Sequence, residues 1–180
     1  MQITKTFIDG LLIIQPNVFE DERGYFYEPY NEKLFSEIGI TENFVQDNQS
    51  FSQKNVLRGL HFQNPPHSQV KLLRVIQGSV WDVAVDIRRA SPTYGKYFGL
   101  ELSSLNKTMF YVPVGFAHGF LTLKENTELL YKCSEFYNKA SEETLIWNDP
   151  DINIKWNITN PILSEKDKNG KRLKMFQSQF

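Results

Sequence analysis

The sequence predicts a mainly β protein: a jelly-roll β-barrel or sandwich with a few short peripheral helices. Two observations carry that prediction. From Val56 to Cys133 nearly every segment is a short run of alternating or continuous apolar residues, the pattern of strands with one or both faces buried. Breaks containing Pro, Gly or Asn separate those runs, and few segments have helical spacing. At 180 residues the chain has the size of one domain, large enough for a full core. No internal repeat, low-complexity stretch or linker divides residues 1–180.

Taken in order, residues 1–30 read as short strands around turns. Leu11 to Ile14 is an apolar run stopped by Pro16. Asp21-Glu22-Arg23-Gly24 forms a turn before an alternating strand over Tyr25–Glu28. Asn31 to Ile38 is the best early helix: Asn31 caps it, Leu34, Phe35 and Ile38 share a face, and Gly39 ends it. Phe44 to Ser50 resumes extended structure. Val70–Ile76 alternates with Lys71, Leu73 and Val75 on one face. Gln77-Gly78-Ser79 then turns the chain into Val80–Ile87, where Val83, Val85 and Ile87 share a face. Further strands are expected over Phe98–Leu102, Met109–Val112, Gly119–Leu123 and Glu128–Cys133. Ser164-Glu165-Lys166-Asp167 reads as a helix start.

Composition narrows the function classes. A formal net charge of -1 with no long basic run argues against nucleic acid or a membrane surface as partner. One cysteine, Cys133, excludes an intrachain disulfide framework and suits a reducing cytoplasm. The N-terminal MQITKTFIDG lacks a signal peptide's apolar centre, and no apolar run is long enough to span a bilayer.

The chemistry concentrates in Val56–Lys71, VLRGLHFQNPPHSQVK, where Arg58, His61, Gln63, Gln69 and Lys71 interrupt strand-like sequence. Polar side chains aimed into a core are costly unless paired or used. Three histidines, His61, His67 and His118, raise the question of a metal. Pro113-Val-Gly115-Phe-Ala-His118 matches the second metal-binding motif of cupin barrels. The first motif is broken, since His61-Phe62-Gln63 offers one imidazole where a pair is required, and Lys71 would repel a divalent cation. No metal is expected. The same residues suit proton removal from carbon beside a carbonyl, which needs a base, a donor on the developing enolate oxygen and an acid. His61 is the natural base, Asp167 its orienting carboxylate, Lys71 or Arg58 the oxyanion partner and Tyr131 the acid on the opposite face.

The blocks Gln46-Asp47-Asn48, VLRGLHFQ, KLLRV, DVAVDIR, SPTYG, PVGFAHGF, Tyr131 with Tyr137, WNDP and LSEKD occur in order from about Phe19 to Asp167. Together they resemble the dTDP-4-dehydrorhamnose 3,5-epimerases. The resemblance implies a cupin-like jelly roll, a homodimer, no metal and no cofactor. The implied substrate is dTDP-4-keto-6-deoxy-glucose, epimerised on both sides of its ketone toward dTDP-rhamnose for surface polysaccharide. Position by position it makes His61 the base, Asp167 its partner, Tyr131 the acid, Lys71 the group on the enolate and Tyr137 the ring stacked on thymine. Arg23, Glu28, Gln46, Asp47, Asn48, Arg58, His118, Glu142 and Lys166 fall at its substrate-contacting positions.

Plainer readings exist. His61 or His118 could be a satisfied core histidine, Tyr131 a packing residue beside Leu129 and Cys133, Tyr137 a surface aromatic, and Asp167 a helix-cap residue. Lys71 and Arg58 could be solvated strand charges, and His67 is expected to be a loop residue. Strict alternation also places His61 and Gln63 on one face and Arg58 on the other. One pocket can receive both only if Gly59 introduces a bulge or the strand begins after it. Two further functions compete with double epimerisation: a related sugar-nucleotide mono-epimerase or ketoisomerase, and a silent sugar-binding or metal-binding cupin.

Overall fold

Alternation along the long strands sorts side chains into three apolar layers, and two sheets separate them. The computed structural model describes residues 1–180. Its strands are β1 (Gln2–Lys5), β2 (Leu12–Gln15), β3 (Phe19–Asp21), β4 (Gly24–Phe26), β5 (Gln46–Ser52), β6 (Leu57–Gln63), β7 (Lys71–Gln77), β8 (Ser79–Asp86), β9 (Tyr97–Ser103), β10 (Met109–Val112), β11 (Phe116–Thr122), β12 (Thr127–Cys133) and β13 (Glu142–Thr144). Two short helices, α1 (Glu32–Glu37) and α2 (Glu165–Lys168), lie outside the sheets. One sheet runs β1-β2-β10-β7-β12-β5 and the other β13-β6-β11-β8-β9, with β3 and β4 paired apart as a small hairpin. This is the expected jelly-roll sandwich, and all the pairings are antiparallel. No helix is long and apolar enough to cross a membrane.

Leu73 and Val75 from β7, Val80 and Ala84 from β8, and Phe110, Phe120 and Leu129 from their neighbours fill the space between the sheets. Val83, Val85 and Ile87 face the other way, as the alternation predicts, and the C-terminal segment covers them with Ile152, Trp156 and Leu173. Leu72, Met109 and Ile14 point out of the larger sheet against Phe35 of α1. Complete burial of a residue such as Leu73 contributes about 1.5–3 kcal/mol.

Local structure departs from expectation at several ends. The Asn31 side chain accepts the Leu34 N–H, and Gly39 follows in the left-handed region, so α1 spans Glu32–Glu37 between the expected cap and stop. The strand expected to start at Gly119 starts at Phe116, and the one expected over Tyr25–Glu28 stops at Phe26. The extended segment from Phe44 becomes a strand only at Gln46. Gly78 does turn the chain, at φ 78°. The strands it joins part into different sheets, β7 pairing with β10 and β12 and β8 with β9 and β11. Strand β13, Glu-Glu-Thr, is too short and polar to announce itself.

The register of β6 answers the Arg58 question. His61 lies opposite His118 and Arg58 opposite Phe120, so two residues of β6, Gly59 and Leu60, face the single Gly119 of β11. That bulge shifts the alternation by one, and Arg58 and His61 share the interior face while Leu57, Leu60 and Phe62 point outward. Gly59 has φ 136°, and a Cβ there would stand 2.5 Å from the Gly119 Cα. Gly59→Ala is therefore expected to cost roughly 3 kcal/mol or more of folding stability. Urea unfolding measures it, and a loss below about 1 kcal/mol would contradict this account of the bulge.

Candidate active site

Strand β6 carries His61 in from the smaller sheet, and β7 and β12 carry Lys71 and Tyr131 in from the larger one. The three meet in a cavity of about 320 Å³ also lined by Gln46, Asn48, Phe62, Gln63, Gln69, Tyr137 and Glu142. Alternation on β5 explains part of this list. Gln46 and Asn48 point in, whereas Asp47 points out and takes the Lys132 ammonium at 2.9 Å.

The His61 Nε2 lies 2.5 Å from Asp167 Oδ1. A carboxylate only accepts, so Nε2 holds the ring proton and Nδ1 keeps its lone pair. Asp167 is 2% exposed and held by three further contacts. Its Oδ2 accepts the Ser164 hydroxyl at 2.7 Å, its own N–H donates to Ser164 Oγ, and the Gly59 N–H lies beside it. Ser164 caps α2 while positioning this carboxylate, so the helix cap and the dyad coexist. Burial favours the neutral acid, but the hydrogen bonds from His61 and Ser164 outweigh it and hold the Asp167 carboxyl below its ordinary range. Burial lowers the His61 imidazole pKa, against the opposing pull of Asp167, so at neutral pH the ring is an unprotonated base.

Tyr131 faces the same cavity from the opposite sheet. Burial, reinforced by Cys133 and only partly opposed by the Arg58 charge, pushes its phenol up to about 12. It therefore keeps its proton at neutral pH. The Lys71 ammonium lies 5.9 Å from the Tyr131 ring centroid and donates to the His61 carbonyl at 3.5 Å. Arg58 lies further along, donating to Ser52 Oγ at 3.2 Å and to the Phe51 carbonyl at 3.3 Å.

The mouth of the cavity is built from polar clasps. Tyr137 is 55% exposed and donates its hydroxyl to Glu142 Oε2 at 3.2 Å, while Lys166 reaches Glu142 Oε1 at 2.7 Å. Gln46 Oε1 accepts the Tyr137 N–H, and Gln63 accepts the Asn138 N–H while donating to the His67 and Phe136 carbonyls. Gln69 donates to the Glu135 carbonyl. These glutamines hold the loop that presents Tyr137.

Other candidates lie elsewhere in this chain. His118, directly across from His61 on β11, is 6% exposed and turned to Asp82, with Nε2 2.8 Å from Oδ1, and does not line the cavity. Arg23 pairs with Asp21 at the tip of the β3–β4 hairpin, and Glu28 lies against Asn31 near α1, both away from His61. None of the three histidines belongs to a group of three side chains fit to hold a metal ion. Two residues that shape the cavity mouth, Gln63 and Gln69, lie within the Val56–Lys71 stretch. Asp82 opens the DVAVDIR block, and alternation along β8 places it opposite the Val83 face.

Residues 5–175 match the family model described as dTDP-4-dehydrorhamnose 3,5-epimerase. The chain belongs to the dTDP-4-dehydrorhamnose 3,5-epimerase family. The Shigella flexneri enzyme of that name is 51% identical over 173 residues, covering 96% of each chain. The crystal structure of the dTDP-4-dehydrorhamnose 3,5-epimerase from Elizabethkingia anophelis is 54% identical, with a TM-score of 0.93 over 97% of both chains. A dTDP-6-deoxy-D-glucose-3,5-epimerase from Legionella pneumophila, solved in complex with dTDP-4-keto-L-rhamnose, is 47% identical with a TM-score of 0.94 over 98% of this chain and 94% of that one. As a member of this isomerase family, the epimerase carries a dyad, a phenol and an ammonium around one cavity.

Proposed function

We propose that this chain epimerises dTDP-4-keto-6-deoxy-D-glucose at C3 and C5, giving dTDP-4-keto-L-rhamnose in dTDP-rhamnose biosynthesis. The observation that carries the reading is the placement of His61 and Tyr131 on opposite sheets with Lys71 beside them. Carbons on both sides of a ketone have acidic protons because the anion delocalises onto oxygen. His61 Nδ1 removes the proton from one face, the Lys71 ammonium meets the enolate oxygen, and Tyr131 returns a proton to the other face. Asp167 stabilises the imidazolium formed in between. Exchange with water resets both groups, so the same pair serves each carbon in turn.

The remaining positions fit a nucleotide sugar. Tyr137 offers an exposed face at the mouth for the thymine ring, and Arg58 carries a permanent charge along the cavity wall for phosphate or enolate oxygens. Gln46, Asn48, Glu142 and Lys166 supply donors and acceptors for sugar and nucleotide. The working form is read as a homodimer. Phe19, Tyr25 and Phe26 are 64%, 59% and 66% exposed on the β3–β4 hairpin, an apolar burden that a second copy would cover. The same copy would bring Arg23 and Glu28 to a neighbouring cavity. The single thiol, buried and unpaired, suits the reducing cytoplasm.

Incubation with dTDP-4-keto-6-deoxy-D-glucose in heavy water, followed by NMR of the sugar protons, tests the reading. Loss of both the C3 and C5 proton signals with conversion to the L-sugar is the expected result. Exchange at one carbon alone would make the enzyme a mono-epimerase, and no exchange at all would overturn the catalytic reading.

A further inference from the structure

The cavity wall and the interior beside it hold ionisable groups with less pairing than their burial demands. Lys71 is 9% exposed, yet its one hydrogen bond is the 3.5 Å contact with the His61 carbonyl, although an ammonium has three donors. Asp82 is fully buried; its Oδ1 meets His118 Nε2 at 2.8 Å, and its Oδ2 has no partner. Lys71 projects from β7 on the face shared by Leu73 and Val75, and Asp82 from β8 on the face shared by Val80 and Ala84. Both faces bound the same apolar interior from opposite sheets. A buried ammonium short of partners and a buried carboxylate oxygen with none are each costly, and opposite charges lining one interior compensate.

We propose that Asp82, steadied by His118, is the positioning residue for Lys71, keeping that ammonium charged and aimed at the oxygen where enolate charge develops. The proposal deepens the epimerase reading and rests on it for the role of Lys71. Burial drives the Lys71 ammonium below its ordinary pKa. The groups facing it are Cys133 and Tyr131 from β12, Asp82 from β8, Glu142 from β13, Lys166 from α2 and His61 from β6. Burial also pushes the Cys133 thiol up, so at neutral pH it carries no charge to offer. Lys166 and a protonated His61 oppose the ammonium. The two carboxylates sustain it, and Asp82 is the one held inside the sandwich.

The test is an NMR titration of the intact protein with isotopically labelled lysine, the Lys71 signal being the one absent from Lys71→Met. In Asp82→Asn the Lys71 pKa is expected to fall by about one pH unit or more, and the basic limb of the deuterium-exchange rate to move down with it. A second variant covers a failure of Asp82→Asn to fold: in Asp82→Ser, which removes the carboxylate and keeps a hydroxyl for His118, the Lys71 pKa is expected to fall likewise. An unmoved Lys71 in folded Asp82→Asn or folded Asp82→Ser overturns the proposal. Both titrations need no substrate, so a wild type that exchanges no sugar protons would overturn the epimerase reading and leave the pairing still decidable.

Discussion

Replacing His61 with alanine is expected to abolish deuterium exchange at both carbons, a fall on the order of 10⁴-fold. No other unprotonated base lines the cavity at a comparable position, because Lys71 is a cation and the Glu142 carboxylate is engaged by Lys166 and Tyr137. Asp167→Asn is expected to follow at roughly 10²–10⁴-fold, since the amide cannot stabilise the imidazolium or reliably hold the Nε2–H tautomer that leaves Nδ1 free. The pH profile carries the same information. Burial keeps the His61 pKa below its ordinary value, so the ring is neutral above that pKa and becomes protonated only as pH falls through it. The acid limb of exchange should therefore lie below about pH 6.5. An acid limb above that value, or exchange surviving in His61→Ala, would remove His61 from the base role.

Much of this site could be read from strand parity. Lys71 with Leu73 and Val75, or Tyr131 with Leu129 and Cys133, share inward faces by simple alternation, and the structure keeps those faces. Arg58 and His61 defeated parity because the bulge is set by the close approach of Gly59 and Gly119, a contact between residues some 60 positions apart that local pattern does not encode. The β7–β8 turn was legible as a turn, but not as a crossing between sheets, since sheet membership depends on partners distant in sequence. His118 fell on a matching motif, yet its side chain answers to Asp82 on the adjacent strand. Arg23 and Glu28 show a different limit: the family resemblance implies a ligand role, whereas within one folded chain neither lines the cavity. Strand β13 went unread because three polar residues have no periodicity to show, although its Glu142 helps form the mouth.

Tyr131→Phe is expected to separate the two halves of the reaction. The substitution removes one hydroxyl and leaves the ring packed against the core, so folding should change little. His61, Asp167 and Lys71 would still form the enolate. With no acid on the far face, the imidazolium can only return a proton, or a deuteron from solvent, to the face it came from. Recovered substrate should then carry deuterium with its configuration retained, at an exchange rate within about tenfold of wild type, while product formation falls roughly 10²–10⁴-fold. Because the phenol stays protonated until pH nears 12, any loss of wild-type rate at lower alkaline pH belongs to another group, and the depressed Lys71 ammonium is the one placed to cause it. Exchange and turnover falling together in Tyr131→Phe would mean that the phenol acts in enolate formation itself, and the two-faced assignment of base and acid would be wrong.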